Sequence, residues 1–251
     1  MIRVLARRVL GVERVPTYFL PWLTRPGLAC SVLLSNVEAR FKSGHNAGPF
    51  PVVVTQYDAD GSVVARRDTV IPDSTSRVEV ALVATASGHG FATVEGERLH
   101  SDLYVMLSDG AAYTVTHGRH EFIERYPARS RALVYALGVP LAAASRTIGA
   151  FVRHQYVYRG PDHRSHVLVM NLSNVRNHVR LTAVDAGDRT GRLLSLPPMG
   201  SALVDVHRLF PGPSPSGVTR LRLSGNAWFN IYLVGAGAQD VHGSLSLMHV
   251  K

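Results

Sequence analysis

Apolar and polar positions alternate along much of this chain in short stretches. Val179, Leu181 and Ala183 fall on one side of a two-residue period, with Arg180 and Thr182 on the other. Val78-Glu79-Val80 and Leu203-Val204-Asp205-Val206 alternate likewise. A period of two is the signature of a β-strand with one buried face. Asp58-Ala59-Asp60-Gly61 and Ala186-Gly187-Asp188 punctuate the pattern with residues that reach the backbone angles of tight turns. Strands recurring about every 8 to 12 residues between such turns predict an antiparallel β-sandwich.

The pattern occurs twice. Ser31-Val32-Leu33-Leu34-Ser35-Asn36 returns as Val169-Met170-Asn171-Leu172-Ser173-Asn174, and Val52 to Ala59 as Val179 to Ala186. An apolar-Pro pair follows in each half, Ile71-Pro72 and Leu196-Pro197. Leu103 to Met106 then matches Ile231 to Val234, and Tyr113 to His117 matches Leu245 to His249. Segments in one order at similar spacing predict an all-β chain of two tandem sandwich repeats. The repeats are expected at residues 17–124 and 153–251, with an N-terminal amphipathic segment at 1–16 and a connector at 125–152. An insertion from Phe41 to Phe50, holding Gly44, Gly48 and Pro49, reads as an extended hairpin or surface loop of the first copy.

Outside the repeat, Ile2, Leu5, Val9 and Val12 share one face of a short helix over residues 2–14, which Pro16 ends. In the connector, Leu141 to Arg146 predicts a second helix after Pro140. The length of 251 residues accommodates two domains of about 100 residues each. No apolar run is long enough to span a bilayer, and Met1 to Leu10 lacks the apolar core of a secretory signal, so a cytoplasmic location is expected.

Charge changes this picture little. The formal balance is +9, almost all arginine, but only Arg7-Arg8 and Arg66-Arg67 are adjacent, so no basic tract points to nucleic acid. The single cysteine, Cys30, excludes an internal disulfide and a cysteine zinc site, and its apolar setting predicts burial.

No phosphate-binding glycine loop, zinc-protease helix or nucleophile elbow is present, so no catalytic residue and no cofactor are expected. Twelve histidines stand out, with His117 and His120, and His163 and His166, as the closest pairs for a metal. Residues three apart on a strand point to opposite faces, so neither pair converges unaided. The duplicated strand offers more. Leu103 and Val105, like Phe229, Ile231 and Leu233, mark its core face. Its other face carries His100, Asp102 and Tyr104 in the first copy and Trp228, Asn230 and Tyr232 in the second. Rings beside hydrogen-bonding groups suit a ligand or partner surface; burial of that face is the competing reading.

The stretch from Ser165 to Phe210 resembles the small sandwich of the sensory rhodopsin transducer family. An apolar strand ends at asparagine (Val167-Leu168-Val169-Met170-Asn171), an alternating strand runs from His178 to Val184, and a closing strand from Leu203 to Leu209 follows the Leu196-Pro197 corner. The resemblance implies a non-enzymatic sandwich that assembles into oligomers and docks on a partner. The function expected is therefore that of a binding or scaffold protein for a protein or small ligand. Self-association as a homodimer or larger assembly is expected too, because sandwich edges need cover. Two alternatives stand beside it: a peripheral membrane protein held by residues 2–14, and a histidine-dependent metal enzyme.

Overall fold

A computed structural model describes residues 8–42, 48–101, 103–148, 151–160, 163–184, 191–211, 217–237 and 246–249. Among the described residues strands take 57% and helices 13%, which makes the fold all-β. Two compact units divide it. One comprises residues 16–122; the other joins residues 1–15 to 123–251.

The first unit is built on β1 (Glu13–Leu23), β2 (Ala29–Ser35), β3 (Phe50–Asp58), β4 (Val63–Ile71), β5 (Arg77–Ala81), β6 (His89–Glu95), β7 (Tyr104–Ser108), β8 (Tyr113–His117) and β9 (Arg119–Arg125), with the start of β1 before Pro16 and the end of β9 after Phe122 belonging to the other unit. The second contains β10 (Val152–Tyr158), β11 (His163–Asn171), β12 (Asn177–Ala183), β13 (Arg192–Leu196), β14 (Ser201–Asp205), β15 (Val218–Ser224), β16 (Phe229–Gly237) and β17 (Ser246–His249). The sheet order β4-β3-β6-β1, extended by β9, recurs as β13-β12-β15-β10, and β5-β2-β7-β8 recurs as β14-β11-β16-β17. Strand for strand, the topology is duplicated.

Register refines the sequence alignment. Tyr104 lies opposite Leu33 and His117, and Tyr232 lies opposite Leu168 and His249. The two tyrosines and the two histidines are therefore equivalent, as the sequence predicts. Leu33 then corresponds to Leu168, so Asn36 matches Asn171 and not Asn174. The sequence alignment of that strand slips because the pair Ser35-Asn36 recurs as Ser173-Asn174, three residues past Asn171, and only hydrogen-bonded pairing tells the two asparagines apart.

In the second unit both sheets contribute to one core. Val157, Val179, Leu181, Leu221 and Leu223 from one sheet pack with Val167, Val169, Val204, Phe229 and Ile231 from the other. One sheet in each half is also buried on its second face. Leu168, Met170, Asn230 and Tyr232 have no exposure, and neither do Phe19, Phe91 and Thr93 in the first half. Strands buried on both faces read as continuous apolar runs, as Val167-Leu168-Val169-Met170 does. In the first half the packing is close enough that a side chain at Gly90 would strike the Trp22 ring, whose indole N–H donates to the Tyr57 carbonyl at 3.0 Å.

Three local expectations are corrected. Of the N-terminal helix, residues 8–10 are helical, and Gly11 then turns the chain at φ 63°. Glu13 to Val15 begin β1 instead, because the β-branched and aromatic run through Phe19 favours a strand, and Pro16 lies within that strand rather than ending a helix. Residues 2–7 lie outside the described residues. In the insertion, Phe41 belongs to a one-turn helix, Ala39–Lys42, whose amides bond back to carbonyls from Asn36 onward, and Phe50 opens β3, while residues 43–47 lie outside the described residues. The connector is more helical than expected, with Ala128–Ala136 and Gly138–Ile148. Pro140 sits in the first turn of the latter, where its missing N–H costs no helix bond.

Candidate functional site

The row on the duplicated strand does not form one surface. Asp102 lies outside the described residues. Tyr104 is 41% exposed and His100 half-buried, but Asn230 and Tyr232 are fully buried, so the second copy's row belongs to the interior. The reason is the second buried face of β16, where Tyr232 stands beside Leu168 and Asn230 beside Met170.

Trp228 is half-buried inside a polar-aromatic cluster of the second unit. The Arg153 guanidinium lies 4.6 Å from its ring centre, the Arg14 guanidinium 5.3 Å, and Phe151 meets it edge-on at 6.4 Å. Arg14 also approaches the buried Glu124 carboxylate at 3.6 Å, which accepts the Tyr126 hydroxyl at 3.0 Å. Asn174 clamps Tyr126 at both backbone groups, and Glu124 bridges to Ser173. A buried carboxylate needs such partners, and here they serve to seat one chain segment on another.

Buried asparagines brace the loops nearby. Asn177 donates to the Ala227 carbonyl at 3.0 Å and accepts from the amides of Asn226 and Ala227. Asn171 donates to the carbonyls of Val175 and Pro197, both at 2.7 Å. In the first half Asn36 does the same work, donating to the Arg98 carbonyl and accepting from the His100 amide.

The histidine pairs named as metal candidates each engage other groups. His117 bonds the Gly118 carbonyl through Nδ1, and His120 stacks on Tyr18 with ring centres 4.6 Å apart. His163 tilts against Tyr158 at 5.7 Å, while His166 lies 3.9 Å from the Asp205 carboxylate. Among the described residues no three histidine, cysteine or acidic side chains gather where they could hold a metal ion. Cys30 is buried, and burial pushes its thiol up to about 12, so it stays protonated and unreactive.

Four imidazoles lie below their ordinary value. Burial is the main cause at each: His89, against the raising influence of the Ser87 carbonyl and Asp58; His154, helped by Arg220 and Arg222; His178, helped by Arg176; and His207, where Asp205 opposes and Arg159 and Arg164 assist. Below about pH 6.5 the unfolded chain takes up these protons while the folded chain resists. Stability is thus complete above that pH and declines as pH falls through the lowered values. Urea midpoints measured from about pH 7.5 to about pH 5 should fall, and His89→Gln should flatten the slope. A midpoint that holds or rises on acidification contradicts this.

A surface that sequence reading missed lies on the outer face of the sheet β10-β15-β12-β13. The core takes Val157, Leu221, Leu223 and Leu181, so the alternate residues face out, where the helix Gly138–Ile148 packs against β12 and β15 and leaves β10 open. Tyr156 stands opposite Arg220, His154 opposite Arg222, and Arg222 in turn opposite Thr182. Tyr156 and Tyr158 are 61% and 53% exposed. A side chain at Gly160 would strike the Tyr158 hydroxyl and ring, so the glycine leaves the ring room to stand where it does. None of these four strands carries an acidic residue. The signal was present in His154, Tyr156 and Tyr158, and in Arg220 and Arg222, each set spaced by two.

No protein-family model matches this chain, and no curated protein matches it either.

The first unit holds a groove of about 690 Å³ beside Pro51, Val53 and Val70, rimmed by Asp68, Glu95 and Glu97. Arg98 lines it too, so its charge is mixed, with acids in excess. No described helix is long and apolar enough to cross a membrane.

Proposed function

We propose that this chain is a non-enzymatic binding and scaffold module that meets its partner through the outer face of β10 and the adjoining part of β15. The observation that carries this reading is the exposed pair Tyr156 and Tyr158 beside Arg220 and His154 on a regular sheet. Exposed aromatic rings next to cations are the residue types that dominate recognition surfaces, because they bury area at low entropic cost. The buried polar groups support it from the other side. Asn36, Asn171 and Asn177 bond to backbone and hold loops. Glu124 is bonded to Tyr126. The resemblance to the sensory rhodopsin transducer family implies the same class of role, a sandwich that docks on a partner.

The test compares the full chain with the double variant Tyr156→Ala, Tyr158→Ala as immobilised bait in a lysate, followed by identification of whatever is retained. Both rings are solvent-exposed, so the denaturant midpoint should move by less than about 1 kcal/mol. Retained partners should drop to the level of a blank matrix. Equal retention by the two proteins would show that the contact lies elsewhere.

A further inference from the structure

The chemistry of this face narrows its partner, and the inference rests on the binding reading just given. We infer that the outer face of β10, with the strand β15 beside it, binds single-stranded nucleic acid, with bases stacked on Tyr156 and Tyr158 and phosphates beside Arg220 and Arg222.

Position is the first argument. Tyr156 and Tyr158 project from one strand on the same side, about 7 Å apart along it, and they are 61% and 53% exposed, with His163 tilted against one side of Tyr158. That spacing lets a stretched strand lay a base on each ring. Unpaired bases offer a π-face to any exposed aromatic, so stacking on a sheet surface needs no particular sequence. Duplex bases are already stacked on each other, and a flat sheet does not follow a groove.

Charge is the second argument. Arg220 is the cross-strand neighbour of Tyr156, and Arg222 that of His154, so a line of cations runs parallel to the line of rings on the adjacent strand. His154 feels both arginines, which help to hold it neutral. A cation row beside an aromatic row matches a polymer with phosphates along one side and bases along the other. An acidic polypeptide would match the arginines but leave the rings without stacking partners. A lipid surface would need apolar side chains to insert, where this face projects tyrosine hydroxyls. The net charge of +9 favours approach of any polyanion.

The experiment uses the full chain with fluorescein-labelled single-stranded oligouridylate and oligothymidylate of about 12 nucleotides, within the site sizes of such surfaces. Three further probes are a duplex of equal length, polyglutamate, and vesicles containing phosphatidylglycerol. The single strands should bind more tightly than the duplex. With about three phosphates neutralised, affinity should fall roughly 20-fold between about 50 and 200 mM salt. Tyr156→Ala with Tyr158→Ala should weaken binding roughly 10-fold or more, with the salt slope unchanged. Arg220→Gln should instead reduce the salt slope by about 0.7. Urea midpoints of each variant separate lost binding from lost folding. Ring-dependent retention of polyglutamate or vesicles, with no binding of single strands, overturns the nucleic-acid inference and leaves the binding face standing. Oligonucleotide binding that survives the double tyrosine change overturns both.

Discussion

Replacing Tyr232 with alanine is expected to cost about 3 to 5 kcal/mol of folding free energy, and the same change at Tyr104 less than about 1 kcal/mol. The two residues occupy one position of the duplicated topology, each opposite a leucine of the neighbouring strand and a histidine of the next. They differ in surroundings. Tyr232 has no exposure and lies among Leu168 and Met170, whereas Tyr104 is 41% exposed. Removing the buried ring opens a cavity that a sheet packed on both faces cannot collapse into, while the exposed ring leaves only water behind. Urea denaturation of the two single variants measures the contrast. Similar costs for both would mean that the second face of β16 is not the packed interior described above.

The next largest effect is expected from Asn177→Ala, about 3 kcal/mol or more. The asparagine amide donates to the Ala227 carbonyl at 3.0 Å, and its oxygen accepts from the amides of Asn226 at 3.1 Å and Ala227 at 3.3 Å. Ala227 has no exposure and Asn226 only 5%. Alanine would strand two donors and an acceptor where water does not reach, each costing about 1 to 3 kcal/mol. The loop in question leads directly into β16, so its loss would also free the start of a core strand. The check is equilibrium denaturation, with hydrogen exchange at the Asn226 and Ala227 amides as a local readout. A cost under about 1 kcal/mol, or unchanged exchange, would show that these groups find other partners.

The duplicated sandwich was legible in the sequence because a period of two and recurring turn residues are local signals. The alternation of Val179, Leu181 and Ala183 with Arg180 and Thr182 passes directly into one core strand. The row on β7 and β16 was not legible to the same depth. Alternation tells which residues share a face, but not whether a second layer covers that face. Val167-Leu168-Val169-Met170 held the hint, since a run without polar interruptions has no side left for water. The basic sheet face was hidden for the opposite reason. His154, Tyr156, Arg220 and Arg222 are distant in the chain, and strand pairing alone sets them side by side. A search for adjacent arginines cannot find a patch assembled across strands. The slip of Asn36 onto Asn174 has the same origin, because register is a property of pairs and a single strand does not carry it.

The solitary thiol of Cys30 has a practical use. It is closed off in the unit of residues 16–122, and its protonated state leaves it inert to alkylating reagents until that unit opens. The rate at which a reagent reaches it counts openings of one half of a duplicated molecule, where calorimetry or circular dichroism would average two halves of like topology into one signal. An internal copying event usually erases such distinctions between the copies. Here a single sulfur atom restores them.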